Sequence, residues 1–417
     1  MHLFTYRNGE LYAEEVPVKK LAETYGTPLY IYSYTTLLKH FLAYRDAFDR
    51  VPHIVCFALK ANTNASVLRL IANNGGGADV VSGGELFRAL RAKIPSKKIV
   101  YAGVGKTEGE IRYALKSRIL MFNVESGDEL IEIDRLAGTM KVKAPIALRV
   151  NPDVDPGTHA YIATGLKKNK FGIPIEEALE YYKLAQNLKN TKIIGIHKHI
   201  GSQITKVSPF VDALKKVLLL MDALQGRGIQ VRYLDIGGGL GITYKDEDPP
   251  LPQDLAKSLI PMLKGRNVTL ILEPGRSIVG NAGILVSQVL YLKKRAEKYF
   301  VIIDAGMNDL MRPSLYGAYH HIQPLEKTVR KTICADVVGP ICESGDFLAK
   351  DRELPALKRG EFIAVMSAGA YGYSMSSRYN SRPRSAEVMV KGKEHSLIRR
   401  RETCYDLIRG EHIPDFI

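Results

Sequence analysis

A lysine stands at the end of an apolar run near the start of the chain. Residues 53–59 read His-Ile-Val-Cys-Phe-Ala-Leu, and Lys60 follows them directly. The length and β-branched content of this run predict a buried strand, with Lys60 near its carboxyl end. A lysine in such a place can lose its proton through desolvation and form a Schiff base with a carbonyl group. On this residue alone, a surface lysine just past a strand is the simpler interpretation.

The ends of five other predicted strands also carry polar or glycine-rich sequences. When parallel strands close into a barrel, catalytic groups gather at the carboxyl ends of those strands. The six ends therefore predict one mouth at which these groups converge. Besides Lys60, they contribute Asp79, Arg149-Val-Asn151, His197-Lys-His199 with Ser202, Asp235 with Gly237-Gly-Gly239, and Glu273-Pro-Gly-Arg276.

The order of the apolar and helical patterns indicates the fold. Eight strand-like runs alternate with segments of helical period, which predicts a parallel sheet. The count of eight favours a closed (β/α)8 barrel of the TIM type over a doubly wound open sheet. The predicted strands are 53–59, 77–81, 98–103, 119–124, 145–150, 193–199, 231–236 and 268–272, and the predicted helices are 64–74, 84–93, 108–117, 127–137, 174–188, 208–226 and 252–264.

The rhythm changes after Pro274, which predicts a second domain. Residues 276–417 contain short β-prone runs, at 282–291, 299–303, 362–366 and 386–390, with glycine and proline turns between them. This pattern is typical of an all-β domain. Strands predicted at 3–14 and 28–32 have no place among the barrel units. We therefore expect an α/β plus all-β protein, with a barrel over 34–275 and a β-sandwich or β-barrel domain over 1–33 plus 276–417.

The glycine triplet Gly237-Gly-Gly239 would let backbone N–H groups approach an anion, although such runs also form plain tight turns. With Ser202 on the preceding loop and Gly275-Arg276 on the next, a phosphate site is expected. A phosphate cradle, an imine-forming lysine and a nearby carboxylate together suggest pyridoxal phosphate. Glu273 opposite the pyridine nitrogen would keep that nitrogen protonated and favour decarboxylation over racemisation.

Glu273 could instead serve as a helix cap or an ion-pair partner. His199 is the right kind of residue to stack on the cofactor ring, but it could equally be a hydrogen-bonded histidine at a strand end.

Composition excludes several classes of protein. The chain has 417 residues and a formal net charge of +15, but the basic residues are dispersed and form no basic–aromatic repeat. Nucleic-acid binding is therefore disfavoured, and anionic ligands explain the charge as well. There is no signal-peptide pattern, the apolar stretches are too short for a bilayer, and the four cysteines lack metal-site spacing. We expect a cytoplasmic protein without a bound metal, membrane contact or nucleic-acid partner.

Eight stretches spread over nearly the whole chain form a distinctive set. They are FALKANTN, GADVVSGGEL, HKHIGSQ, LDIGGGLG, LEPGRSIV, MRPSLYGAYH, GPICESGD and SAGAYGYSMSSRYNSRPR. In sequence and in order they resemble the diaminopimelate decarboxylase family, which belongs to the alanine racemase-like fold type III group of pyridoxal-phosphate enzymes, and in combination they are highly specific. The resemblance implies decarboxylation of meso-diaminopimelate to L-lysine, the last step of lysine biosynthesis.

The resemblance also implies a role for each matching residue. Lys60 would bind the cofactor covalently, His199 would stack on its ring, and Glu273 would pair with the pyridinium. Further cofactor contacts would come from Asp79, Arg149, Ser202, Gly237, Gly238, Gly239, Gly275, Arg276 and Tyr371. Substrate contacts would come from Arg276, Arg312, Tyr316, Glu343 and Tyr371. Cys342 would donate a proton after CO2 leaves. In this family the site forms at a homodimer interface, with the Cys342-Glu343 loop from the partner chain.

The substrate can be compared with the chemistry of these residues. The distal carbon of diaminopimelate carries both an ammonium and a carboxylate, which calls for a cation and an acid. Arg276 and Arg312 with Glu343 supply them, whereas two arginines would repel the lone distal ammonium of ornithine.

Three alternatives remain open. They are a related decarboxylase acting on ornithine, arginine or carboxynorspermidine, an alanine-racemase-like enzyme, and a cofactor-binding regulatory protein without turnover. Glu273 argues against the second, and the long β domain argues against the third.

Overall fold

The computed structural model describes residues 2–155, 157, 169–296 and 298–417. The chain forms two compact units. The barrel unit comprises Leu38–Thr243 and Glu247–Ile278, and the β unit comprises Met1–Leu37, Tyr244–Asp246 and Val279–Ile417. No helix in the described part of the chain is both long and apolar enough to cross a lipid bilayer.

The N-terminal segment contributes strands to the β unit. Its elements are β1 (Phe4–Arg7), β2 (Glu10–Ala13), β3 (Val16–Pro17), α1 (Val18–Tyr25) and β4 (Leu29–Ser33), followed by α2 (Tyr34–Ala47). Strands β1 to β3 form a small antiparallel sheet. The single strand predicted over 3–14 is wrong, because Asn8 and Gly9 adopt positive φ angles of 49° and 83° and turn the chain into a hairpin.

Eight parallel strands close the barrel, as the sequence predicted. They are β5 (His53–Ala58), β6 (Gly77–Val80), β7 (Ile99–Tyr101), β8 (Met121–Val124), β9 (Ala144–Asn151), β11 (Thr191–His197), β12 (Tyr233–Asp235) and β13 (Thr269–Leu272). Each pairs with the next in that order, and β13 pairs with β5 to complete the ring. A short extra strand, β10 (Ile173–Pro174), pairs with β9.

A helix follows each barrel strand. These are α3 (Ala65–Asn73), α4 (Gly83–Arg91), α5 (Glu108–Ser117), α6 (Gly127–Thr139), α7 (Ala178–Asn187), α8 (Ser208–Gln225), α9 (Pro252–Leu259) and the single turn α10 (Arg276–Val279). The first four begin at residues whose side chains accept a backbone N–H of the first turn: Asn64, Ser82, Thr107 and Ser126. Such caps fix where each helix leaves the strand end and so shape the barrel mouth.

The remainder of the β unit is mostly strands. They are β14 (Gly283–Arg295), β15 (Lys298–Ile303), β16 (Ile322–Pro324), β17 (Thr332–Val338), β18 (Phe347–Pro355), β19 (Phe362–Val365), β20 (Ala386–Lys391) and β21 (Glu394–Arg399), with short helices α11 (Arg312–Tyr316) and α12 (Cys404–Leu407). The long strand β14 pairs with β4, β15 and β19. The N-terminal strand β4 therefore belongs to the β unit, as predicted, whereas β17 and β18 were not predicted as strands.

Candidate active site

Lys60 lies just past β5, in a 3₁₀ turn formed by Leu59–Ala61. Its Nζ donates a hydrogen bond to Oδ2 of Asp79 at 3.0 Å. Asp79 lies on the neighbouring strand β6 with its side chain fully buried, whereas 39% of the Lys60 side chain is exposed. The buried Asp79 thus holds the amine of Lys60, while part of the lysine side chain remains accessible to a ligand.

Asp79 offers a further acceptor at this point. Burial raises the pKa of its carboxyl group and Glu273 adds to that, while Lys60 opposes them by favouring the charged form. Its Oδ1 is buried and has no hydrogen-bond partner among the described residues. Because an unsatisfied buried carboxylate oxygen is costly, a donor from a bound group or a water is expected there.

The glycine loop after β12 runs tightly against the loops on either side. A methyl group on Gly238 would come within 2.1 Å of the carbonyl oxygen of Glu273, and Gly239 adopts a φ of 116°. The Gly238 N–H donates to Nδ1 of His199 at 3.3 Å. Only glycine lets the backbone pass so closely, and the N–H groups of such a loop suit an anion.

A cation and a hydroxyl flank the glycine loop. Arg276, at the start of α10, is buried and donates from Nε and Nη2 to Oγ of Ser202 at 3.3 and 3.1 Å. Gly275 precedes it, and a side chain there would press on Ala58 and Ala61 at 3.1 Å. The loops after β11, β12 and β13 thus supply a hydroxyl, backbone N–H groups and a guanidinium, which is a donor set for a phosphate.

His199 follows β11. Its Nδ1 accepts from Gly238, and desolvation, reinforced by Lys60 and Arg149, holds the pKa of the ring well below its usual value. The imidazole is therefore neutral at physiological pH. A neutral ring can lie against an aromatic system without the desolvation cost of a cation.

Glu273, directly after β13, is buried. Its Oε2 is 3.4 Å from Nε2 of His197, and its Oε1 accepts from Nδ2 of Asn123 at 3.4 Å. Burial alone would raise the pKa of this carboxyl, but His197 and then Lys60 outweigh it and lower the pKa. Glu273 is thus a carboxylate in the barrel interior, able to face a positively charged group.

Arg149, on β9, forms a buried ion pair with Glu125. Its Nη1 is 2.7 Å from Oε1 of Glu125, and its guanidinium lies 4.8 Å from the centre of the Phe171 ring. The other oxygen of Glu125 accepts from the N–H of Gly172 at 2.8 Å. Burial opposes ionisation of Glu125, but Arg149 prevails and lowers the pKa of the carboxyl. The pair fixes the guanidinium at the barrel mouth.

Arg312 of the β unit begins α11 and is buried. Its Nη1 lies 2.7 Å from Nε2 of His320, and the guanidinium lies 4.6 Å from the centre of the Tyr244 ring. Nδ1 of His320 is 2.8 Å from the carbonyl oxygen of Met366, so Nδ1 carries the hydrogen and Nε2 accepts from Arg312. A neutral histidine therefore orients Arg312 without cancelling its charge.

Cys342 and Glu343 lie in an exposed loop between β17 and β18. The Cys342 N–H donates to Oδ1 of Asn380 at 2.8 Å. The buried carboxylate of Asp346 closes the loop by accepting from the N–H of Ile341 at 2.6 Å. The loop is thus fixed at its base while the thiol and the Glu343 carboxylate face outward.

The two predicted tyrosines also lie in the β unit. Tyr316 is the last residue of α11 and is partly exposed. Ser314 of the same helix donates to the carbonyl oxygen of Gly345 at 2.6 Å, which places α11 beside the Cys342 loop. Tyr371 follows β19 with a φ of 56°, a conformation that residues other than glycine rarely adopt.

Known proteins resemble this chain over nearly its full length. Residues 34–280 match the family described as "Pyridoxal-dependent decarboxylase, pyridoxal binding domain". A diaminopimelate decarboxylase of Aquifex aeolicus is 56% identical over 404 residues, which are 97% of this chain and 96% of that protein. The chain belongs to the diaminopimelate decarboxylase family.

Solved structures of diaminopimelate decarboxylases support the same grouping. One from Helicobacter pylori, complexed with L-lysine, matches with a TM-score of 0.91 at 45% identity and covers 94% of this chain and 98% of its own. One from M. jannaschii, also complexed with L-lysine, matches with a TM-score of 0.94 at 41% identity and covers 99% of this chain and 98% of its own.

The residues at the barrel mouth fit the pyridoxal phosphate that this family uses. The glycine loop leaves a cradle that a single methyl group at Gly238 would disturb, and Arg276 stands beside it. Lys60 supplies the amine, and the unpartnered Oδ1 of Asp79 supplies an acceptor next to it. The barrel unit carries every predicted cofactor residue except Tyr371, and Arg312, Tyr316, Cys342, Glu343 and Tyr371 lie in the β unit.

Several polar residues at these sites were not among the predicted site residues. Asn123 lies in β8 and Glu125 directly follows it, at a strand end that we did not count as polar, although the sequence Asn-Val-Glu was a readable signal. The buried Lys198 has no hydrogen-bond partner within the described ranges and lies 5.3 Å from the Phe210 ring centre. Burial lowers the pKa of Lys198 to about 8.

Replacing Gly238 by alanine is expected to destabilise the barrel by roughly 3 kcal/mol or more, because the methyl group would meet a backbone oxygen that cannot move alone. Gly109, in the first turn of α5, has open space around it. Gly109→Ala should therefore stabilise the protein by about 0.5–1 kcal/mol. Thermal and urea unfolding of both variants test this, and a Gly238→Ala protein as stable as the wild type would contradict it.

Proposed function

We propose that the protein removes CO2 from meso-2,6-diaminopimelate and releases L-lysine, as a carboxy-lyase with pyridoxal phosphate as its cofactor. The observation that carries this proposal is the near-full-length identity of 56% to a diaminopimelate decarboxylase. The amine, carboxylate and phosphate-type donors at the barrel mouth support it. In this reading the reaction is the last step of lysine biosynthesis.

The chain's own residues would hold the cofactor. Lys60 would provide the covalent attachment, and Ser202, Arg276 and the glycine loop would bind the phosphate. The neutral His199 would contact the ring, and the anionic Glu273 would favour a protonated pyridine nitrogen. The bound cofactor supplies an electron sink for the charge that remains on the α-carbon when CO2 leaves. Asp79 and Arg149 position the groups around Lys60 and the ring.

We assign the distal end of the substrate to residues of the β unit. Arg312, held by the neutral His320, would bind the distal carboxylate, and Glu343 would bind the distal ammonium. Arg276, Tyr316 and Tyr371 would complete the substrate contacts. Cys342 would return a proton to the α-carbon, in keeping with its exposed thiol. A distal ammonium without a carboxylate would be repelled by the charge of Arg312, which disfavours ornithine.

A parallel decarboxylation assay tests the proposal. Purified protein with added pyridoxal phosphate is offered meso-diaminopimelate, ornithine, arginine and carboxynorspermidine, and CO2 and the product amine are followed. We expect lysine from diaminopimelate alone. Turnover of another substrate instead would overturn the assignment of Arg312 and Glu343. No turnover by protein that has bound the cofactor would favour a regulatory binding protein.

Replacing Arg312 by alanine should lower kcat/KM for diaminopimelate by about 10- to 100-fold, because it removes a charge-assisted contact to the distal carboxylate. Arg330, whose Nη1 is 2.7 Å from Glu361 in the same unit, provides the matched control. Arg330→Ala should leave kcat/KM unchanged. Steady-state kinetics of both variants decide the point, and an unaffected Arg312→Ala enzyme would remove the carboxylate assignment.

The assembly and location remain part of the proposal. We infer a homodimer in which the Cys342-Glu343 loop reaches the partner's site, and the outward-facing position of this loop supports that view. We also infer a cytoplasmic enzyme with domain limits at 34–275 and at 1–33 plus 276–417. A nucleic-acid-binding protein would associate with DNA in a strongly salt-dependent way. We expect no association with DNA even at low salt.

A further inference from the structure

Three buried side chains meet beneath the barrel mouth. His197 is the last residue of β11, Asp235 is the last residue of β12, and Glu273 directly follows β13. Because these strands are neighbours in the sheet, one side-chain atom from each of the three residues lies within 4.8 Å of the others. All three are almost fully buried, so water cannot separate their charges.

Asn123, on β8, joins the two acids. Its Nδ2 donates to Oδ2 of Asp235 at 3.1 Å and to Oε1 of Glu273 at 3.4 Å. The other oxygen of Asp235 accepts from the N–H of Gly237 at 3.0 Å. One amide group therefore spans both carboxyls and fixes them side by side.

Two carboxyl groups within 4.8 Å of each other in a dry interior disfavour each other's ionisation, so one proton shared by the pair is favoured. The surroundings determine which acid carries it. Glu273 faces Nε2 of His197 at 3.4 Å, which favours its charged form, and that contact lowers the pKa of Glu273 against the effect of burial. Burial and then Glu273 raise the pKa of Asp235 well above its ordinary value.

Other charged or titratable groups also act on the pair. They approach from β5, β6 and β11 and from the loops after β5 and β11, and they are Cys56, Lys60, Asp79, His197, Lys198 and His199. Lys60 reinforces the charge on Glu273, and Asp79 adds a third acid nearby. Lys198 and the donors from Asn123 and Gly237 favour the charged form of Asp235, but burial and the charge of Glu273 outweigh them.

We propose that Asp235 carries a proton at neutral pH and donates it in a hydrogen bond to Glu273. Asp235 is then a positioning residue that holds Glu273 as a carboxylate directed at the cofactor. The protonation of Asp235 concerns the protein without cofactor and can be tested independently of decarboxylation. Its role in positioning Glu273 rests on the proposed function.

The proposal is tested first by infrared difference spectroscopy of the cofactor-free protein. We expect the wild type minus D235N spectrum to show the C=O stretching band of a protonated carboxyl. The spectra are recorded at neutral pH, and the subtraction cancels the bands of Glu85 and Asp309, whose pKa values are raised to about 7 and which are present in both proteins. Absence of the band would overturn the proposal. So would a stoichiometric metal ion in the purified protein, since the three side chains could also hold a cation.

A matched pair of variants then tests the hydrogen bond. Titration of cofactor-free protein with pyridoxal phosphate should give a Kd for D235A about 10- to 100-fold above that of the wild type. D235N should recover most of this affinity, because its amide can donate to Glu273. If the side-chain amide of Asn123 flips, its Oδ1 can accept a hydrogen bond from the new amide at position 235. This Oδ1 has no partner among the described residues.

Equal losses in D235N and D235A, with both proteins folded by circular dichroism, would overturn the proposal. A failure of the proposed function would appear elsewhere, as wild-type protein that turns over none of the offered substrates.

Discussion

Replacing Lys60 by arginine abolishes decarboxylation while preserving a cation beside Asp79. Arginine can still pair with the buried carboxylate, but its guanidinium cannot form the covalent link to the cofactor. We expect kcat to fall on the order of 10⁴-fold or more, as for other residues that form a covalent bond in the reaction. Activity is measured as CO2 release. Mass spectrometry after borohydride reduction should find the cofactor on residue 60 of the wild type and not of the Lys60→Arg variant.

Lys298 is a suitable control for this experiment. Its Nζ is 2.8 Å from Asp336, and its side chain is 43% exposed, close to the 39% of Lys60. Lys298→Arg should retain full activity and the label on Lys60. A Lys60→Arg enzyme with more than about a hundredth of wild-type kcat would show that another group carries the chemistry.

Replacing Cys342 by alanine is expected to lower kcat by roughly 10²- to 10⁴-fold, because it removes the proposed proton donor. The chain offers two matched controls. Cys334 and Cys404 are also exposed free thiols, and their alanine variants should be unaffected. Steady-state CO2 release and the stereochemical purity of the lysine formed are the measurements. An unchanged kcat in Cys342→Ala would transfer the proton step to another group.

The same two variants test the shared site. If Lys60 and Cys342 act at one site from different subunits, Lys60→Arg and Cys342→Ala homodimers are each inactive or impaired. Exchange of subunits gives heterodimers with one intact site, so an equal mixture should regain about a quarter of wild-type activity. No recovery after demonstrated exchange would place both residues on the same chain.

Local sequence patterns predicted the barrel and most of the cofactor residues. Each barrel strand could be recognised in the sequence because it is buried on both faces and is therefore apolar, and a polar residue marks where it ends. Lys60, Asp79, His199 and Glu273 were predicted as site residues in this way, and their roles at a cofactor stay a prediction. The β unit was less legible. Strands β17 and β18 were missed, because their exposed residues interrupt the apolar runs. The hairpin of β1 and β2 was merged into one strand because the turn at Asn8 and Gly9 was not recognised.

The sequence by itself determined which chemical groups stand at the strand ends, since each strand carries its own signal. Only the tertiary structure decided which of these groups meet. Asn123 reaches Asp235 from a distant strand of the barrel, and His320 supports Arg312 through a carbonyl on another segment. Whether a carboxyl such as Asp235 keeps its proton depends on burial and on distances of a few ångströms to other charges. Those distances arise from closure of the barrel, which no local pattern encodes.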